Sequence, residues 1–250
     1  IAFHLYNRIE FGKIHMRNPE VVALAVLLGR KVGSASRKLA NFARLDPALQ
    51  ARDIKGLPHG SKGELDVWNE FTQHPEVLIL ESTRLVAERL GSNIVEVAEI
   101  KDSDLPPPGI EREALVKLRV NQSFFRNRVL SAYNFRCCVT GMTNRALLTA
   151  SHIVPWAKDE KNRLNPRNGL CLNSLHDRAF DRGLMWIDTD FKVRFSSTLH
   201  HGPDSATQAL QWLLSFEGQQ LLLSQGFQPE PEFLRRHASI AMEKSKLAGL

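Results

Sequence analysis

The chain has 250 residues, 43% hydrophobic and 24% charged, which fits a soluble globular protein of one large or two small domains and excludes collagen-like or disordered classes. No apolar run approaches the roughly 20 residues of a membrane span, and no secretory signal precedes the first predicted helix, so no membrane partner is expected. Net charge is +6. The excess is local: residues 101–200 carry 16 basic and 10 acidic groups, and Lys117 to Arg182 carry 12 and 4. Such a stripe marks either a polyanion partner or a Lys/Arg-rich solvated surface. Cys137, Cys138 and Cys171, odd in number with one adjacent pair, make a poor disulfide framework and point to a reducing, cytoplasmic setting. The chain opens on Ile1, which leaves room for an upstream segment.

In chain order, residues 1–14 place apolar groups at helical spacing and predict a short amphipathic helix. Asn18-Pro19 signals a helix start, and Val21, Val22, Leu24, Ala25, Leu27 and Leu28 describe a largely buried helix that Gly29 stops. Ser34 is expected to cap a second helix from Ala35 to Ala43, with Leu39 and Phe42 inward and Arg37 and Lys38 outward. The pair resembles a helix-turn-helix, with Ser34, Ser36, Arg37 and Lys38 as DNA contacts; the alternative is a helical bundle for packing or dimerisation. Residues 46–63 read as loop, followed by helices over 64–71 and 75–90. Residues 1–90 form the expected helical domain. Residues 91–112, with Pro106-Pro107-Pro108-Gly109, form a Pro-rich linker, and 113–250 a second domain.

In that second domain, 122–133 predicts an amphipathic helix, with Phe124, Phe125, Val129, Leu130 and Tyr133 as its apolar set and Arg126 and Arg128 pointing elsewhere, where they can meet phosphate. Residues 135–141 read as a strand ending in a turn. The stretch 147–183 reads strand, long polar loop, strand, helix, and holds His152, Asn168 and His176. A hairpin over 184–195, a helix near 205–216 and a last helix from about Glu232 complete a short α/β tail.

Cleaving a phosphodiester requires an activated water, a cation on the developing charge, and fixed geometry. A neutral imidazole at a strand end can take the proton, a divalent metal can stabilise the leaving oxygen, and an amide at a loop end can bridge backbone groups and hold the strand in register. His152, His176 across the loop, and Asn168 offer these parts. Each alone also has a bland reading, as a hydrogen-bonded strand-end His, a surface His and an ordinary Asn-Gly turn.

Four segments in this order, Cys137-Cys138-Val139-Thr140-Gly141, Ala150-Ser151-His152-Ile153-Val154-Pro155-Trp156, Asn168-Gly169-Leu170 and His176-Asp177-Arg178-Ala179-Phe180-Asp181, resemble the HNH endonuclease family, in particular a restriction-endonuclease branch. Residues 1–90 look like the leading domain often found there. The resemblance implies an α+β chain with a ββα-metal nuclease domain that hydrolyses DNA in restriction or defence. It implies His152 as general base, Asn168 as positioning residue and His176 as metal ligand.

Three departures stand out. Ser151 replaces the Asp that many members place before the base. Phe180 replaces a second helix His. Cys137 is followed by Thr140 rather than Cys, with Leu172 and Leu175 in the places of a second Cys pair, so no structural zinc is expected. The candidate metal ligands are then His176, Ser151, Asn173, Asp177 and Asp181, and Mg²⁺ or Mn²⁺ is the expected cofactor, because a hard cation keeps several waters. Candidate DNA contacts are Arg126, Arg128, Arg145, Lys158, Lys161, Arg163 and Arg167, with Arg37 and Lys38 in the first domain. Cutting both strands with one site per chain needs a homodimer or sequential nicks. The rival reading is a DNA-binding or regulatory protein whose HNH site has decayed.

Overall fold

A computed structural model describes residues 1–201, 206–224 and 227–248. The fold is α+β, with helices throughout and two separate two-stranded antiparallel sheets among the described residues. It divides into two compact units, 1–124 and 125–250. No helix among the described residues is long and apolar enough to cross a membrane.

The first unit contains α1 (Ala2–Arg8), α2 (Pro19–Leu27), α3 (Val32–Ala43), α4 (Pro47–Gln50), α5 (Lys62–Phe71), α6 (Pro75–Leu90) and α7 (Ile94–Val97). Asn18 caps α2, its side chain accepting the Glu20 N–H, with Pro19 at the first helical position. The core gathers Phe3, Tyr6, Leu39 and Phe42, with Trp68 packed against it. The second helix of the predicted pair begins earlier than its sequence suggests. Gly29 takes φ +60, Lys31 occupies the N-cap without a side-chain bond, and Ser34 lies inside the first turn. Because the Lys31 carbonyl already accepts from Ser34 and Ala35 N–H, the turn closes on backbone and Ser34 caps nothing. Leu39 and Phe42 do face inward. Arg37 is exposed, whereas Lys38 reaches 2.6 Å to Glu64, which is only 2% exposed. Asn41 and the Ser61 N–H bond the same carboxylate. Burial alone would raise that carboxyl, but these partners together hold it below its usual value. Lys38 is thus the exposed half of an ion pair that ties α3 to the buried Glu64 of α5.

A long helix, α8 (Ile110–Ala132), carries the chain into the second unit. It starts at 110, not 122. The proline run ends at Pro108, and Glu111 and Glu113 in the first turn complement the positive end of the helix. Residues 135–141, expected as a strand, form a turn instead. Asn134 and Phe135 both take φ +53, the Cys137 N–H is spent on Met142 O, and Gly141 N–H returns to Cys137 O. With those groups committed locally, no ladder can form.

β1 (Leu148–His152) pairs antiparallel with β2 (Gly169–Asn173), placing Ser151 opposite Leu170 and His152 opposite Gly169. α9 (Ser174–Asp181) follows directly, capped by Asn173, whose side chain accepts from Leu175 and His176 N–H. β3 (Met185–Ile187) and β4 (Val193–Phe195) form the predicted hairpin. The chain continues through α10 (Thr198–His201), α11 (Gln208–Leu214) and α12 (Pro231–Ala248). The predicted helix near 205–216 therefore narrows to 208–214; residue 205 itself lies outside the described residues. The tail is part of the domain: Leu222 N–H bonds Cys138 O and Val193 N–H bonds Gln219 O. In α12, Leu234 is buried and His237 stacks on Phe180, 3.7 Å between centroids and nearly parallel.

Burial pushes His237 down to about 4, so the folded state binds fewer protons than the unfolded chain between there and about 6.5. Stability should be fully present above pH 6.5 and fall as pH drops towards 4, by on the order of 3 kcal/mol from this group. Thermal melts across pH 4–8 would show the loss, and His237→Phe should make the curve shallower in that window, the buried His176 keeping part of the slope.

Candidate active site

The centre of the second unit is the β1–β2 ribbon with α8 on one side and α9 on the other. Gly169 permits the close approach of α8, since a Cβ there would lie 2.5 Å from Val129 Cγ2 and 2.9 Å from Phe125 Cζ. Phe125 is thereby free to stack on the His152 imidazole, 3.7 Å between centroids and 12° from parallel. Trp156 meets the same ring edge-on. His152 Nε2 lies 3.0 Å from the Arg163 carbonyl. A carbonyl only accepts, so Nε2 carries the proton and Nδ1 keeps its lone pair. Burial lowers the imidazole's pKa, with the Arg163 carbonyl opposing in part. The group is therefore a neutral imidazole with a basic nitrogen at neutral pH.

The loop that supplies the Arg163 carbonyl is closed by Asn168, which has no exposed surface. Its Oδ1 accepts the Val154 N–H at 2.8 Å, and its Nδ2 donates to Val154 O at 3.1 Å and Asn162 O at 3.2 Å. Ile153 N–H bonds the Asn168 carbonyl. The amide thus acts as an extra strand residue, continuing the ribbon beyond His152.

Ser151 points to the other side of the strand from His152 and is 3% exposed. Its hydroxyl donates to Asp177 on α9. Burial raises the Asp177 carboxyl, the Ser151 bond opposes this, and the charge of Asp181 one turn on raises it further. Asp177 and Asp181 lie on one helix face at i, i+4. The result is an oxygen-lined group of one hydroxyl and two mutually repelling carboxylates.

His176 does not join that group. It is fully buried, with Nδ1 3.0 Å from Asn173 Oδ1 and its ring edge-on to Trp212 and Phe216. Nε2 has no hydrogen-bond partner among the described residues, and burial pushes the ring's pKa down to about 4. Asn173 in turn donates its backbone N–H to Cys137 Sγ at 3.3 Å and its Nδ2 to Thr140 Oγ1 at 3.3 Å. Residues 137, 140, 173 and 176 therefore form one hydrogen-bonded knot. Asn173 and His176, not Leu172 and Leu175, are the residues that face the Cys137 turn; Leu175 is 47% exposed. Cys138 and Cys171 are buried thiols beside it, and burial drives the Cys171 thiol up to about 12. Among the described residues no cluster of three or more His, Cys, Asp or Glu is placed to hold a metal.

Residues 137–188 match the HNH endonuclease family. No curated protein matches the chain. The HNH segment runs from the Cys137 turn to the end of β3, and so includes His152, Asn168, and both the Ser151–Asp177 and the Asn173–His176 groups. A nuclease acting on DNA is the activity that the HNH match carries.

The basic candidates divide by what already holds them. Arg126 bonds the Leu148 carbonyl, Arg128 lies over Phe227 and Arg145 over Phe135. Arg163 is tied to Trp156 O and Glu160, and Arg167 to Gln228 O and Glu230. Lys158 and Lys161 are exposed, and no ion pair involves either among the described residues. Three partners of the site were not visible in sequence. Phe125 looked like any apolar helix residue, and nothing marked Asn162 or Arg163 as the backbone anchors of His152 and Asn168.

Removing the Asn168 amide leaves the buried Val154 N–H and C=O without partners, which typically costs about 1–3 kcal/mol per group; the Asn162 carbonyl keeps the Asn165 N–H. Asn168→Ala should lower the midpoint of urea unfolding clearly and reduce cleavage by the surviving folded protein. An unchanged midpoint would show that the loop closes without the amide.

Proposed function

We propose that the HNH domain is a divalent-metal-dependent DNA endonuclease in which His152 is the general base. The observation that carries this reading is the imidazole itself: neutral, ring-stacked on Phe125, and held by Arg163 so that Nδ1 keeps its lone pair. In this mechanism Nδ1 takes a proton from water as the water oxygen attacks phosphorus, and the sugar oxygen leaves from the opposite side. Asn168 keeps the strand end and the 154–168 loop in register, and so fixes the direction of Nδ1.

The metal is assigned to Ser151, Asp177 and Asp181. All three offer hard oxygen donors, and the Asp177 carboxyl, raised first by burial and further by the charge of Asp181, is one whose charged form a bound cation would favour. The residues fit Mg²⁺ or Mn²⁺. Bound there, such an ion would act as a Lewis acid on the phosphate and its leaving oxygen. Asp177 thereby takes the ligand role first given to His176, while His176 and Asn173 serve the knot that orients α9. Lys158 and Lys161 are the favoured backbone contacts, giving salt-dependent affinity without sequence information. A helical unit bearing exposed Arg37 ahead of a nuclease suits a restriction enzyme, with selection in the first unit and cutting in the second.

Plasmid nicking with Mg²⁺ or Mn²⁺, stopped by EDTA, is the primary test. His152→Ala should lose ~10²–10⁴-fold in rate with DNA binding retained. Asp177→Asn should abolish Mn²⁺ binding in calorimetry, whereas His176→Phe should lower the melting temperature and leave Mn²⁺ binding intact. The reverse pattern would return the metal to His176. DNA binding without cleavage under either metal would favour the decayed-site reading.

A further inference from the structure

The tail beyond the HNH segment holds the loop that aims His152. α12 is fixed to the core through buried Phe233, Leu234 and His237, and from it Arg236 reaches Asp159 in the loop at 2.8 Å. Asp159 is only 13% exposed at its side chain, and its carboxyl is held below the usual range first by Arg236, against the effect of burial. The other oxygen of Asp159 accepts from Asn162 Nδ2 at 3.0 Å. Asn162 O is the acceptor for Asn168 Nδ2, and the next residue, Arg163, supplies the carbonyl that holds His152 Nε2. A second grip lies just ahead of α12: Glu230 pairs with Arg167 at 3.1 Å, and its N–H bonds the Arg167 carbonyl, one residue before Asn168. The two ion pairs have opposite polarity, acid on the loop in one and base on the loop in the other, so the tail can seat on the loop in one register only.

We propose that residues 228–236 clamp the 154–168 loop, with Arg236 a positioning residue that acts through Asp159, Asn162 and the Arg163 carbonyl on the orientation of His152. This rests on His152 being the general base. The loop is buried at its ends, at Val154, Leu164, Pro166 and Asn168, but no residue from 155 to 163 is buried, so its middle has little core packing to fix it. A small displacement of the Arg163 carbonyl rotates the imidazole away from the attacking water, and misplacement of that size from a remote change can cost up to ~10²-fold in rate.

The test uses the full chain. Arg236→Ala and Asp159→Asn should each lower kcat on plasmid DNA by on the order of ten- to a hundredfold, with KM and melting temperature close to the parent. Arg236→Lys should retain most of the rate, and the charge-swapped double variant Arg236→Asp, Asp159→Arg should recover part of what either single change loses. Asp159→Asn is decisive against a simple DNA-contact role for Arg236, because it breaks the pair while making the surface more positive. If Asp159→Asn cuts at the parental rate, or if Arg236→Ala raises KM at unchanged kcat, Arg236 is not a positioning residue. A loss of activity that only tracks a lowered melting temperature would overturn the proposal equally. His152→Ala run alongside separates the two levels: an active His152→Ala removes the underlying mechanism, whereas an inactive one beside a fully active Arg236→Ala removes the clamp alone.

Discussion

The double hydrogen bond between the Asn168 amide and the Val154 backbone is the constraint on which the site depends. It closes a loop of fifteen positions, 154–168, at the point where the β1–β2 ladder ends. Loop closure is entropically costly, and a buried amide meeting both an N–H and a C=O is one of the few side chains that can replace a ladder pair at that point. With the loop shut, the Arg163 carbonyl comes within reach of His152, and a flexible imidazole becomes a directed one.

The two faces of the ribbon then take separate tasks. Strand alternation sends His152 to the α8 side and Ser151 to the α9 side, although the two residues are neighbours in the chain. On the first side apolar rings surround the imidazole and keep it neutral. On the second, oxygen donors gather around Asp177. The neutral imidazole and the carboxylate group are therefore kept apart by the strand itself, so neither charge bears on the other by direct contact.

The knot of Cys137, Thr140, Asn173 and His176 accounts for how a small ββα unit holds its first turn against its helix. Thiol, hydroxyl, amide and imidazole are linked by hydrogen bonds, and Trp212 and Phe216 from the tail close over the result. The tail therefore contributes twice, covering the knot with α11 and pairing with the loop from α12, and the packed unit reaches well beyond residues 137–188.

Much of this was legible in the sequence. The order of strand, loop, strand and helix followed from apolar runs broken by Pro and Asn. The Asn18-Pro19 cap followed from local chemistry, and His152 and Asn168 stood out by type, order and spacing. These features are local, and local rules fix them. The 135–141 segment misled because its apolar run suited a strand, while two positive-φ residues and the Cys137 turn consumed its backbone bonds. The sequence offered both His176 and Asp177 as companions of Ser151 but could not choose between them. Successive helix positions differ by about 100°, so the phase set by the Asn173 cap decides between His176 and Asp177, two polar neighbours that no periodicity in an eight-residue helix can separate. Arg236 and Asp159, 77 positions apart, were equally invisible, because only the packing of α12 on Phe180 brings their charges together.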